Sequence, residues 1–170
     1  MLNTADQGAN VHFLRGAAYE ALNRTTEAEA ELWAALQAAP NDADMLNYLG
    51  YLWVDKGLRV QEGAAMIARA HALEPDNGNI QDSLGWAQFK QGQYDVAVNT
   101  LEEAVDKEPA NAEINDHLGD AYWKVGRQRE AVWLWNRVLV LNPDDERRVE
   151  VERKIADGLD KPASTSGVSN

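Results

Sequence analysis

The sequence predicts an all-α solenoid, a stack of helix–turn–helix units that share one continuous core. Four glycines are separated by 34, 35 and 34 residues, and four prolines by 35, 34 and 34. The glycines are Gly16, Gly50, Gly85 and Gly119, and the prolines are Pro40, Pro75, Pro109 and Pro143. Each segment also has one helical apolar period, a polar break and a second helical period. A fixed period near 34 residues indicates one recurring unit that buries its apolar face against its neighbours.

The composition limits the possible classes of protein. The chain has 170 residues, of which 45% are hydrophobic, enough for one domain with a core. It has no cysteine, which excludes disulfides, thiolate nucleophiles and cysteine-ligated zinc. The net charge of -12 disfavours nucleic acids and anionic membranes as partners. There is no apolar run near the roughly 20 residues that span a bilayer, and the first residues do not have a signal-peptide pattern.

Within each unit, turn and packing positions recur in register. The break between the two helices contains Asn23, Gly57, Gly92 or Gly126, residues that tolerate the left-handed conformation. The second unit has one extra residue, which we place in its turn. Small residues on the second helix should face the repeating glycines; these are Ala28, Gly63, Ala97 and Ala131. Large residues should fill the remaining space; these are Leu32, Ile67, Leu101 and Trp135.

The segments LGYLW, LGWAQF and LGDAYW, with the closing dipeptides EP, EP and NP, resemble the tetratricopeptide repeat (TPR). That resemblance implies a right-handed α-solenoid whose first helices line a concave groove that binds proteins or peptides. The chain departs from the family pattern near the start of each first helix. There the usual aromatic residue is replaced by His12, Leu46, Gln81 and Asn115.

The pattern predicts the following domain organisation. A lead-in of residues 1–8 precedes repeats at 9–42, 43–77, 78–111 and 112–143, which together form a TPR region at 9–143. Residues 144–159 are charged except for Val151, Ile155 and Leu159, which form one stripe and predict a capping helix. Residues 160–170 are small and polar and predict a disordered tail.

The sequence contains no enzyme motif, so we expect a protein without catalytic residues or cofactors. Asp116 and Asp120 lie one helical turn apart beside His117, and a divalent metal could use that face. A solvated acidic helix face is the preferred interpretation, because no third or fourth ligand is evident.

The six tryptophans divide into three groups. Trp53 and Trp135 occupy core positions of the repeat, whereas Trp33 and Trp133 should pack between units. Trp86 and Trp123 fall on the first-helix face that, in the family, lines the groove.

Residues on that face recur at i, i+4 and i+7 on each first helix. The predicted partner-binding residues are Phe13, Glu20, Asn47, Tyr51, Val54, Asp82, Trp86, Phe89, Asp116, Asp120 and Trp123. The aromatic side chains would anchor a peptide segment or partner helix. The acidic row would select lysine or arginine and would repel a terminal carboxylate. In the alternative interpretation the rings are covered by neighbouring helices and the acidic row only confers solubility.

The segments NYLGYLWVDKG and DSLGWAQFKQGQYDVAV also look like the C-terminal repeats of proteobacterial TPR proteins. That resemblance implies a bacterial scaffold or adaptor, in the cytoplasm or the periplasm, with a role in an envelope assembly or with a protease. The alternative function is self-assembly, because the first repeat has no preceding cap to cover its apolar edge.

Overall fold

The structure is a computed structural model that describes residues 4–159, with side chains from Gly8 onward. This part of the chain contains nine α-helices and no strand. They are α1 (Thr4–Ala21), α2 (Thr25–Ala38), α3 (Ala43–Asp55), α4 (Val60–Leu73), α5 (Gly78–Lys90), α6 (Tyr94–Lys107), α7 (Ala112–Lys124), α8 (Gln128–Val140) and α9 (Asp145–Asp157). Among residues 4–159, no helix has the length and apolar character needed to cross a bilayer.

The helices form pairs that stack in two layers. α1 packs on α2, α3 on α4, α5 on α6 and α7 on α8, and each second helix contacts the first helix of the next pair. The first helices also contact each other, α3 with α5 and α5 with α7. The result is the predicted all-α solenoid, in which the first helices form one layer and the second helices form the other.

The predicted turns are confirmed by the backbone. Asn23 has a φ of 56° and Gly57 a φ of 65°, and the later breaks at Gly92 and Gly126 have φ values of 77° and 83°. All four therefore have the left-handed conformation that ends a first helix. The extra residue of the second unit lies in its turn, because four residues separate Asp55 from Val60 whereas three separate the other pairs.

The repeating glycines lie where paired helices touch. A Cβ atom added to Gly50 would lie 2.8 Å from the carbonyl oxygen of Gly63, and one added to Gly119 would lie 2.6 Å from Nε1 of Trp135. The large residues predicted to fill the second helices, Leu32, Ile67, Leu101 and Trp135, are all fully buried. The close approach predicted from sequence is therefore confirmed.

The expectation that Trp33 and Trp133 pack between units holds for one of them. Trp33, although 45% exposed, stacks on Trp53 of the next unit, with ring centroids 6.1 Å apart. Trp133 is 60% exposed, and the side chain above its ring is Arg137 of the same helix. The core assignments of Trp53 and Trp135 are confirmed.

The two ends of the solenoid differ. α1 begins at Thr4, so the predicted lead-in of residues 1–8 is helical from that residue. At the other end, Asp144 caps α9 by accepting a hydrogen bond from the backbone N–H of Arg147 at 2.8 Å. Val151 of α9 is fully buried, and Ile155 packs against the same core. The predicted tail of residues 160–170 lies outside the described residues.

Candidate functional site

The inner layer of first helices encloses two adjoining cavities. The first, of about 270 Å³, runs across α3, α5 and α7 and reaches Glu20 of α1. The second, of about 540 Å³, continues toward α9. Four residues line both cavities: Glu20, Tyr51, Asp55 and Glu113. These cavities form the concave surface that the sequence predicted.

The predicted site residues lie on this inner layer but differ in exposure. Six are half-buried: Phe13, Glu20, Asn47, Tyr51, Phe89 and Trp123. Five are buried: Val54, Asp82, Trp86, Asp116 and Asp120. Asp82 lines the first cavity, and Trp86, Asp116 and Asp120 line the second, whereas Val54 lines neither. Neighbouring side chains cover most of the surface of all five.

Asp116 and Asp120 are paired with the capping helix. Lys154 of α9 places its Nζ 2.8 Å from Oδ1 of Asp116 and 2.9 Å from Oδ2 of Asp120. Trp135 donates its Nε1–H to Oδ1 of Asp120 at 3.0 Å. All three ionised side chains are at least 95% buried. The acidic row at this end of the groove is therefore neutralised within the chain.

Arg147 extends the same network toward the cavities. Its guanidinium lies 3.1 Å from Oδ2 of Asp116 and 3.1 Å from Oε1 of Glu113. Tyr51 of α3 donates its hydroxyl to Oε1 of Glu113 at 2.9 Å. Because these two residues belong to the second and fourth repeats, their hydrogen bond spans the inner face above the third repeat.

Burial and ion pairing shift the pKa values of Asp120 and Lys154 in opposite directions. Burial raises the pKa of Asp120 to about 6, although Lys154 favours its ionised form. Burial lowers the pKa of Lys154, but Asp120 and Asp116 outweigh it, so the pKa of Lys154 lies above its usual value. Burial and the Glu113 carboxylate raise the pKa of Tyr51, which therefore remains a hydrogen-bond donor.

Asp82 has a different internal partner. Both of its carboxylate oxygens lie 3.0 Å from Nδ1 of His117, and both side chains are buried. Trp86 stacks on His117, with centroids 4.1 Å apart and planes inclined by 11°, and stacks on Phe89 on its other face. Burial lowers the pKa of His117, but the charge and hydrogen bond of Asp82 outweigh it, so the pKa is raised. Trp86 and Asp82 therefore form part of the floor of the groove.

The remaining apolar residues of the predicted site are packed. Val54 lies in a core cluster with Trp86. Trp123 tilts against Trp135 at a centroid distance of 5.3 Å, and the backbone of Gly158 packs directly on the Trp123 ring. Phe13 meets Tyr48 edge-on at 5.2 Å.

The first cavity is centred on α3 and the start of α5 and α7. Apolar area comes from Tyr48 and Tyr51, and the side-chain amides of Asn47, Asn79 and Asn111 supply polar groups. Oδ1 of Asn47 is buried and has no hydrogen-bond partner. The sequence interpretation missed Tyr48, Asn79, Asn111, Asp55 and Glu113. Asp55 lies one residue after the predicted stripe of α3, and Glu113 lies three residues before the predicted stripe of α7. A wider stripe on each helix would therefore have included them.

The metal alternative finds no support in the geometry. The ammonium group of Lys154 lies between Asp116 and Asp120, where a bound cation would have to sit. Within residues 4–159, no group of three or more histidine and acidic side chains has an arrangement that could hold a metal ion.

Comparison with known proteins places this geometry in a family. The family models for "Tetratricopeptide repeat" and "TPR repeat" match residues 9–42 and 85–126. A TPR repeat-containing protein of Pseudomonas aeruginosa is 34% identical over 98 residues. Those residues are 58% of this chain and 17% of that protein, so the chain spans a small part of its relative.

Solved structures share the fold. A MamA structure is 28% identical, covers 87% of this chain and 83% of its own, and has a TM-score of 0.63. The pilF protein of Pseudomonas aeruginosa, at 21% identity, covers 92% of this chain and 70% of its own with a TM-score of 0.74. YrrB, a TPR protein with an unusual peptide-binding site, is 18% identical, covers 85% and 74%, and has a TM-score of 0.64. The matched segments, the stacked helix pairs and the shared fold show that this chain contains tetratricopeptide repeats and folds as they do.

Proposed function

We propose that this chain is a non-catalytic scaffold or adaptor that holds an extended peptide segment or a partner helix in its concave groove. The open cavity of about 270 Å³ carries the proposal, because it crosses the first helices of three consecutive repeats. A partner segment laid there would contact several repeats at once. The repeat family supports protein binding as the general role, and the similar fold of YrrB contains a peptide-binding site.

The cavity lining favours a partner with both basic and apolar side chains. Glu20, Asp55 and Glu113 bring carboxylates to its rim, and Lys56 is the one basic residue on it within the described part of the chain. Tyr48 and Tyr51 offer aromatic surface of the kind that anchors interfaces. The selection of lysine or arginine that the sequence suggested for Asp82, Asp116 and Asp120 is here reassigned to these three carboxylates.

The side-chain amides would fix the register of the partner backbone. Asn47 lines the cavity, so its side-chain amide would contact the partner backbone, although its buried Oδ1 is closed to the partner. Asn79 and Asn111 already hydrogen-bond to each other at 3.2 Å, which holds both amides at the cavity edge.

A random peptide display library tests the groove. We expect the wild-type chain to enrich peptides that combine lysine or arginine with aromatic or aliphatic residues. Glu20→Lys should weaken binding of the enriched peptides by about tenfold, because it places a like charge at the rim. Glu152→Lys is the matched control, since it makes the same charge change on an exposed residue of α9. Equal binding by both variants, or no enriched peptides, would contradict the groove model.

The bacterial setting is a narrower proposal. Resemblance to proteobacterial repeat proteins and the 34% identity to a Pseudomonas aeruginosa protein support a bacterial adaptor, in an envelope assembly or with a protease. Co-purification with a candidate envelope complex or protease, lost in Glu20→Lys and kept in Glu152→Lys, would link that setting to the groove.

A further inference from the structure

The layer of second helices contains a hollow between α6 and α8, which we call the outer groove. Its volume is about 400 Å³. Leu118 and Leu134 are buried and form its floor, and Val105 and Tyr122 also line it. Trp133 of α8 lines it too and is largely exposed. The outer groove is therefore an apolar surface on a different layer from the concave cavities.

The exposure of Trp133 does not depend on its place near the end of the stack. Trp133 aligns with Ala30, Ala65 and Asn99, and all three are exposed. Stacking therefore leaves this position open to solvent in every repeat, and the other repeats have a small or polar side chain there. A large apolar ring at such a position, beside an apolar hollow, is typical of an interaction surface.

The first two repeats show which kind of side chain fits such a space. There Trp33 of the first unit stacks on Trp53 of the second. In the outer groove Tyr122 aligns with Trp53, but Glu102 aligns with Trp33 and accepts a hydrogen bond from the Tyr122 hydroxyl at 2.7 Å. Residues 160–170 contain no aromatic side chain. An aromatic ring from a partner can therefore take the place in the outer groove that Trp33 takes in the first repeats.

The charges along the outer groove favour a basic residue beside that ring. Glu102 and Glu130 both pair with Arg127, at 3.0 and 3.1 Å. Asp106, on the α6 side, is exposed and makes no ion pair with any described residue. Three carboxylates against one guanidinium leave a net charge of -2. A lysine or arginine would meet the free carboxylate of Asp106 and the ring of Trp133.

Two further arginines lie near Trp133 but do not line the outer groove. Arg137 donates a hydrogen bond to the carbonyl oxygen of Pro109 at 2.8 Å. Arg129 borders a separate hollow on α8. Neither arginine pairs with Asp106, so that carboxylate remains available to a partner.

We propose that the outer groove is a second protein-binding site, which holds a partner segment through one aromatic side chain and an adjacent lysine or arginine. The aromatic ring enters the groove beside Tyr122. The basic side chain pairs with Asp106 and packs on Trp133. Because this site lies on the layer of second helices, one chain can hold this partner and a second one in the concave cavities at the same time.

Nuclear magnetic resonance of the intact chain with a defined peptide tests the site. The probe is acetyl-Lys-Trp-Lys-amide, and acetyl-Glu-Trp-Glu-amide is the charge-reversed control. We expect the probe to shift the indole N–H signal of Trp133 and the amide signals of α6 and α8 to saturation. The control should bind about tenfold more weakly, because its carboxylates meet a negative groove. Glu20→Lys, which changes the rim of the concave cavities, should leave these shifts unchanged.

Two variants test the two halves of the site. Glu102→Trp gives the outer groove the ring that Trp33 gives the first repeats, so it should fill the space and abolish the shifts. Asp106→Asn should weaken binding of the probe by about fivefold, because it removes one exposed ion pair. Asp95→Asn is its matched control, since it makes the same change at another exposed residue of α6.

Each outcome decides the proposal. Wild-type chain without these shifts, or with equal shifts from both peptides, would overturn it. Shifts that do not saturate, or that spread over the whole acidic surface, would show charge attraction without a site and would also overturn it. If Glu102→Trp disturbs the helix packing, as circular dichroism would show, the comparison of Asp106→Asn with Asp95→Asn still decides, and equal binding by those two variants would contradict the site.

Discussion

Gly50 sets the distance between the two helices of the second repeat. An added Cβ would meet the backbone oxygen of Gly63 at 2.8 Å, and a backbone atom cannot rotate away as a side chain can. The repeating glycines are therefore packing residues, which is why their spacing indicated the fold so clearly.

Gly50→Ala should lower the free energy of unfolding by about 1–3 kcal/mol, because the helices must separate to admit the methyl group. Gly8→Ala is the control: Gly8 is also helical, but a Cβ there meets nothing within 4 Å. That variant should be unchanged or more stable by up to about 1 kcal/mol, since alanine favours helix over glycine. Denaturant unfolding of both variants measures the difference, and equal stability would show that the close approach is not limiting.

The buried carboxylates show where reasoning from single residues stops. The i, i+4, i+7 spacing placed Asp82, Asp116 and Asp120 on the inner face, where they do lie. Their exposure depends on His117 in the next repeat and Lys154 in the capping helix, which lie 35 and 34 or more residues away. A stripe on one helix contains no information about which neighbour covers it.

At the scale of elements, α9 is held by charge as much as by apolar contact. Val151 is its one fully buried apolar residue, whereas Lys154 and Arg147 make four contacts of 3.1 Å or less with carboxylates of α7. The sequence predicted this helix from its apolar stripe. It offered a further signal: Arg147 and Lys154 are seven residues apart, so they share a face that matches the acidic turn of α7.

Lys154→Met should destabilise the protein by about 3–5 kcal/mol, because it leaves Asp120 buried without a cation and leaves Asp116 with Arg147 alone. Adding Asp120→Asn in the same chain should recover part of that loss, since the unpaired charge is removed. Lys56→Met, at an exposed residue, is the control and should stay within about 0.5 kcal/mol of wild type. If Lys154→Met unfolds like the control, the ion network does not hold α9.

For the whole molecule, the number of repeats and their register could be predicted from the sequence, because each depends on contacts between adjacent segments. The curvature of the stack could not be predicted from the sequence, because a small rotation between neighbouring repeats accumulates along the stack. In the structure, Tyr51 reaches Glu113, which lies 62 residues away in the sequence. The hydrogen bond between them separates the aromatic and amide lining near α3 from the charged lining near α9, where Arg147 and Lys154 pair with carboxylates of α7.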